Sequence, residues 1–261
     1  MKQTAKLGFF MLALPASALA QVDVSDWLCE SCPFEDGYRA NVDAGTTYVS
    51  DEDVRYGNAS GYDSDGLYLN VDGDGVYTQD GYRQSWHIED LGLESRLVTF
   101  AGGLQGQYGY WFEYSELPGR VFGSTETVFS ENSGVLELPS SWVPASTTGG
   151  FAALDDSLKS RAIESDRQTA GIGGRWLASD AFEVYADFSR QTRDGIDIKS
   201  GSSLTQAALL PRRIDYATDQ ADIGIRYRGK KSSLTLAYYG SYFDNKNSAL
   251  TWQTPFTAPA G

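Results

Sequence analysis

The residues best suited to chemistry are two thiols in the run Cys29-Glu30-Ser31-Cys32. Three kinds of site use cysteines at this spacing, and each makes a further demand. Covalent c-type haem needs a histidine directly after the second cysteine, and Pro33 stands there, which excludes it. A zinc centre needs two more soft ligands, and the single histidine, His87, is far along the chain. A thioredoxin-like redox pair needs a surrounding βαβ unit that the sequence pattern lacks. Two readings stay open: a short-range disulfide of an oxidising compartment, or a thiol pair used in redox exchange or assembly handling.

Other candidates are weaker. Asp63-Ser64-Asp65-Gly66 and Asp72-Gly73-Asp74-Gly75 resemble calcium loops, but both lack the third oxygen ligand and the distal glutamate of such loops. They read as turn or strand-end chemistry. His87, between Trp86 and Ile88, reads as a polar residue facing away from an apolar side. No Ser/His/Asp set, phosphate-cradling glycine loop or helix-borne carboxylate pair occurs. The expectation is a protein without catalytic, cofactor-binding or metal-binding residues of its own.

The elements that carry these residues begin with an export signal. Lys2 and Lys6 precede an apolar run over 7–14 and the small-residue triplet Ala18-Leu19-Ala20, a secretory pattern cleaved after Ala20. No later stretch approaches the roughly 20 apolar residues of a spanning helix. Any membrane crossing must therefore be made by strands. Composition agrees: 28 Gly, 16 Tyr, 12 Phe and 6 Trp against 2 Met suit aromatic, glycine-punctuated strands better than packed helices. The mean hydropathy of -0.36 is no objection, because a barrel strand shows lipid only every second residue. The net charge of -14 excludes nucleic acid and a purely electrostatic grip on anionic lipid, since both would be repelled.

Period-two alternation organises the rest. Tyr108, Tyr110, Phe112 and Tyr114 share one face, with Gln107, Gly109 and Glu113 on the other. The split recurs in Phe182, Val184, Ala186 and Phe188 against Glu183, Tyr185, Asp187 and Ser189. It returns in Ile223, Ile225 and Tyr227 against Asp222, Gly224 and Arg226, and in Leu234, Leu236 and Tyr238 against Ser233, Thr235 and Ala237. About nine strands are expected, near 37–50, 65–77, 81–90, 93–102, 105–116, 166–178, 181–194, 218–229 and 232–244. Short turns alternate with long connections at 51–64, 117–165 and 195–217, only 91–92 breaking the pattern. Short turns on a periplasmic rim and long loops outside make an antiparallel transmembrane β-barrel. A soluble β-sandwich would alternate too, but the aromatic-rich faces and the charges opposite them (Arg39, Asp43, Asp72, Arg83, Glu113, Arg175) fit lipid and a wet lumen better.

An odd strand count, ending in Thr257-Ala258-Pro259-Ala260-Gly261, leaves a free edge, which a bilayer does not tolerate. The barrel is therefore expected to be incomplete at the C-terminus. The organisation read is a signal peptide at 1–20, a periplasmic segment with the cysteine pair at 21–36, and the N-terminal part of an outer-membrane β-barrel at 37–261. Gly171, Gly173 and Gly224 on the lumenal face are expected to leave room for close approach of another backbone.

These residues resemble a known family. Trp27-Leu28-Cys29-Glu30-Ser31-Cys32 after the signal looks like the MtrB/PioB family of decahaem-associated outer-membrane β-barrels. The likeness continues through Gly81-Tyr82-Arg83, Gly106-Gln107-Tyr108, Leu138-Pro139-Ser140-Ser141-Trp142, Asp156-Ser157-Leu158-Lys159, Asp215-Tyr216-Ala217-Thr218-Asp219 and Tyr239-Gly240-Ser241-Tyr242-Phe243-Asp244-Asn245. The resemblance implies a Gram-negative outer-membrane barrel with a periplasmic N-terminus, sheathing and anchoring a periplasmic decahaem c-type cytochrome in its lumen. Haem would be carried by that partner, and an extracellular multihaem cytochrome at the loops is a further implied partner. The alternative is a general or solute-selective porin, in which the 117–165 loop folds inward as a constriction. A periplasmic oxidoreductase using Cys29 and Cys32 is a third reading, from another class.

Overall fold

The computed structural model describes residues 36–203, 206–247 and 249–257. The signal segment, Cys29 and Cys32 lie outside the described residues. The strands are β1 (Gly37–Val49), β2 (Gly66–Gln79), β3 (Tyr82–Glu89), β4 (Leu97–Leu104), β5 (Tyr108–Thr127), β6 (Ser130–Asn132), β7 (Val135–Glu137), β8 (Lys159–Ser179), β9 (Phe182–Ser203), β10 (Gln206–Arg228), β11 (Ser233–Asn245) and β12 (Thr251–Trp252). One-turn helices α1 (Val54–Gly57) and α2 (Leu154–Ser157) sit in the connections.

Nine strands form one antiparallel sheet in the order β1-β2-β3-β4-β5-β8-β9-β10-β11, the number and sequence-neighbour topology expected. The sheet is open, with β1 and β11 as its edges. Its turns on one rim are tight. Asp80 and Gly81 both take positive φ, 49° and 79°, closing β2 onto β3 with the handedness that matches strand twist.

Register shows why these segments are strands. Successive residues point to opposite faces and cross-strand partners share one, so the row Tyr38, Tyr77, Gln84, Gly102, Tyr110, Gly174, Ala186, Ile223, Tyr238 lies wholly on one side. Neighbouring same-face rows add Val42, Trp86, Phe100, Phe112, Ile172, Phe188, Ile225 and Leu236. Among the described residues nothing covers this side: Leu236 and Tyr238 are each 72% exposed. An uncovered apolar face of such extent belongs in lipid. Its lower edge is an aromatic girdle of Tyr38, Tyr82, Tyr108, Trp176, Phe182 and Tyr227, tied by Trp86 Nε1 donating to the Tyr38 hydroxyl at 3.2 Å and the Phe182–Tyr227 ring contact at 5.0 Å. The edge runs obliquely across the hydrogen-bonded rows, since Phe182 and Tyr227 lie below the row of Tyr38, as tilted strands require.

Of the expected loops, 195–217 is strand over its described residues and 117–165 is strand at both ends. β5 runs on to Thr127 and β8 starts at Lys159, while β9 and β10 stay paired up to Ser203 and Gln206, so 195–203 and 206–217 are ladder and not loop. Above the lipid the alternation of apolar and polar faces is no longer required. Pro118 and Pro211 also argue against central strand from sequence. The structure accommodates both at open edges. Pro118 lies beyond the last β4–β5 pair, Leu97–Ser115, and its carbonyl accepts from Ala59 N at 3.3 Å, so its missing N–H faces the 50–65 connection. Pro211 shares its orientation with Asp215, whose carbonyl takes Lys246 N from the β11 side at 3.1 Å, and β11 has ended at that height.

The connection 128–158 and the segment 249–257 build a small core over the ladder extension. Val128, Phe129, Leu136 and Leu210 are buried together, with Trp142, Leu154 and Leu158 packed against them. β12 pairs in parallel with β7 beside β6. Phe151 sits between Trp142 and Phe256, at 4.8 and 5.1 Å between ring centroids. Leu210 and Ile214 of β10 belong by register to the face opposite the apolar one, so this cap leans over the lumenal side.

Candidate functional site: the lumenal wall

The face opposite the lipid side carries Arg39, Asp43, Asp72, Asp74, Arg83, His87, Glu113, Arg175, Glu183, Asp187, Asp222 and Arg226, as alternation from the apolar rows dictates. Sequence reasoning placed them there, and the register agrees. What it missed is how they are held.

Trp111, Gly173 and Asp187 are successive partners in one row across β5, β8 and β9. The indole lies flat over β8 and Trp111 Nε1 donates to Asp187 Oδ1 at 2.7 Å. A Cβ at Gly173 would fall 1.9 Å from that carboxylate oxygen and 2.3 Å from the indole nitrogen, and one at Gly171 2.8 Å from the ring. Tyr185 repeats the device one strand on. Its ring covers Gly224, where a Cβ would come within 2.5 Å, and its hydroxyl donates to Asp222 Oδ1 at 3.4 Å. The Arg226 guanidinium lies 4.2 Å from the Tyr185 ring centroid and donates from Nη1 to Glu183 Oε1 at 2.5 Å.

The glycine gaps expected to receive a guest are therefore filled by the wall's own aromatics. Alternation tells which face a side chain takes. It does not tell which one turns sideways into a glycine on the next strand. The consequence is a level wall, its polar groups pinned by charge-assisted bonds and a cation–π contact.

The other sequence candidates have ordinary roles. His87 Nε2 shares a hydrogen bond with Glu89 Oε1 at 2.8 Å. Asp63 takes the Tyr68 hydroxyl and pairs with Arg120, and Asp72 takes Asn70 Nδ2 and Asp90 N. Among the described residues no group of three or more His, Cys, Asp or Glu is placed to hold a metal ion.

On the rim away from the tight turns, Arg120 ties the connections together. Its guanidinium is 3.0 Å from Asp63, 2.6 Å from Glu94 and 3.7 Å from Glu164. Burial disfavours its charge, but these carboxylates keep it firmly protonated. Asp166 nearby is raised by burial and by Glu94, Glu164 and Glu116, against Arg120. Asn58 Oδ1 accepts Arg120 N at 3.0 Å, so the 50–65 connection fills the notch that short β4 leaves beside β5. On the β9–β10 extension Arg212 grips Asp197 through Nε at 2.8 Å and Nη2 at 2.5 Å. Although burial alone would raise Asp197, Arg212 and Lys199 hold it below the usual carboxylate range.

Comparison with known proteins agrees with this geometry. The family described as "Putative outer membrane beta-barrel porin, MtrB/PioB" matches residues 48–261. Outer membrane protein MtrB of Shewanella baltica (strain OS185) is 30% identical over 243 residues, 92% of this chain and 35% of that protein. The chain thus spans about a third of the length of that relative. An apolar girdle, a pinned polar wall and a family match over most of the sheet lead to one assignment: the chain belongs to the MtrB/PioB family of outer-membrane β-barrel proteins.

Proposed function

We propose that the barrel sheathes and anchors a periplasmic decahaem c-type cytochrome, so that electrons cross the outer membrane along the partner's haems. This chain's residues supply the hole through the lipid, the wall around the guest and the grip that holds it.

The observation that carries the reading is the flat lumenal wall. In an eight-stranded barrel the side chains themselves fill the interior. Here nine strands run without β1 meeting β11, and in the middle of the sheet Trp111 and Tyr185 lie along the wall instead of projecting from it. A wall of that kind is built to face another folded surface at close range.

The test is purification of the full-length protein from outer membranes in mild detergent. A haem-staining polypeptide should accompany the heat-modifiable barrel through size exclusion at fixed ratio. A barrel that purifies alone, while the cytochrome stays in the periplasm, would overturn the sheath.

One observation favours the porin alternative: the 128–158 cap leans over the lumenal side, as a constriction would. Bilayer conductance by the barrel as isolated, unchanged when the cytochrome is deleted, would select that reading. The cysteine pair, near the start of β1, is proposed to act in handling at the periplasmic rim. Replacing Cys29 and Cys32 with Ser should lower assembled barrel and bound haem, and unchanged levels would leave a simple disulfide. The extracellular cap and connections are proposed to meet an extracellular multihaem cytochrome.

A further inference from the structure

The charges of the lumenal wall are sorted by height. Four strands place an arginine beside the lowest aromatic of the girdle: Arg39 follows Tyr38, Arg83 follows Tyr82, Arg175 precedes Trp176, and Arg226 and Arg228 flank Tyr227. Because neighbours in a strand take opposite faces, each aromatic meets lipid while its arginine enters the lumen at the same level. Glu183 stands within this collar and is neutralised by Arg226, while Asp80 and Asp180 lie in the turns below it.

Carboxylates follow higher up. Asp187 is beside Phe188, Asp222 lies between Ala221 and Ile223, Glu113 between Phe112 and Tyr114, and Asp74 pairs across the sheet with His87. Asp43 and Asp72 face each other directly in the β1–β2 register. Like charges opposite one another on a ladder are unfavourable. The hydrogen bonds to Asp187, Asp222 and Asp72 fix these carboxylates without cancelling their charge, so the band gains most when opposite charge is brought to it.

From this we infer that the wall fixes the depth and direction of its protein guest by charge: an acidic surface seats at the arginine collar on the periplasmic rim, and a basic surface meets the carboxylate band at mid-wall. The inference rests on the sheath reading above and adds the polarity of the partner's surface. In open water the two layers are largely screened from one another, the Debye length being about 8 Å against roughly 13 Å for four residues of strand. As the guest expels water, screening falls and a seat one layer out of register sets like charge against like.

The experiment uses the full-length barrel produced with its cytochrome. Two double reversals are compared, Arg175→Glu with Arg228→Glu for the collar and Asp74→Lys with Glu113→Lys for the band. None of these four side chains belongs to the Trp111–Asp187 or Tyr185–Asp222 pairs. The readout is the sodium chloride concentration that strips half the haem-staining polypeptide from assembled barrels. Each double reversal should lower it at least about two-fold, as loss of complementary charge lowers salt resistance. Where a reversal fails to assemble, judged by heat-modifiable mobility, Arg175→Gln with Arg228→Gln and Asp74→Asn with Glu113→Gln replace it, with a smaller drop expected. Wild-type salt release unaffected by any of these pairs overturns charge seating while leaving the sheath in place. Wild-type barrels that carry no haem-staining polypeptide remove the sheath, and this inference with it.

Discussion

Gly173→Ala should be costly although the residue is a strand glycine, where alanine ordinarily helps by about 0.5–1 kcal/mol. The added methyl would sit 1.9 Å from Asp187 Oδ1 and 2.3 Å from Trp111 Nε1, distances no Cβ sustains, so the indole must lift off β8. Its 2.7 Å bond to the carboxylate is then lost. Breaking a hydrogen bond to a charged group costs about 1.5–3 kcal/mol, and the crowding adds about 1–3 kcal/mol. Against the backbone gain, the net loss is about 2–5 kcal/mol. Gly45→Ala is the control, on the same lumenal face with nothing within 4 Å of its Cβ. It should be neutral or slightly stabilising. The assay is urea unfolding of the full-length barrel refolded into lipid vesicles, followed by heat-modifiable mobility. Equal midpoints for the two variants would refute the claim that Trp111 occupies the glycine slot.

Three further outcomes follow from the same structure. Phe112→Arg, in the middle of the apolar face beside Phe100 and Ile172, should cost about 2–4 kcal/mol, whereas Glu113→Gln on the lumenal face should cost little; the opposite order would mean the strand is turned inside out. Surface protease on intact cells should cut within 128–158 in preference to 195–203 and 206–217, which are paired strand; cleavage in the latter two alone would contradict the ladder. Asp197, held low by Arg212 and Lys199, contributes stability that is present above the ordinary carboxylate value of about 3.9 and is lost as pH falls through its lower folded value. The upper β9–β10 ladder should therefore lose amide-exchange protection below about pH 4, and Asp197→Asn should flatten that dependence; a wild-type slope in the variant would refute it.

Legibility in the sequence followed the solvent. Where strands cross lipid, each residue faces either hydrocarbon or polar surroundings, and a one-residue slip would expose a whole row. Tyr108 to Tyr114 and Phe182 to Phe188 therefore announce themselves by type alone. Above the membrane both faces are wet, and the constraint disappears. The segment Asp194-Gly195-Ile196-Asp197-Ile198-Lys199 pairs as regularly as any other stretch, but its stability comes from cross-strand partners such as Arg212 that lie far along the chain. Local pattern cannot see them. Proline is excluded only from ladder positions that need a donor, and Pro118 and Pro211 face sides where no strand continues.

The lumenal site was half legible for a related reason. Period two assigns Trp111, Gly173 and Asp187 to one face, yet their meeting depends on register between β5, β8 and β9. Register is fixed by the short turns at one end and by the lipid rows throughout, so the apolar face determines indirectly which polar groups stand side by side within the barrel. A glycine opposite a lumenal aromatic then acquires meaning that it lacks in the chain alone. Gly171, Gly173 and Gly224 all look like spare room until the neighbouring strand is set in place. Once it is, the space is filled by Trp111 and Tyr185, and the charges of the wall stand at heights set by that register.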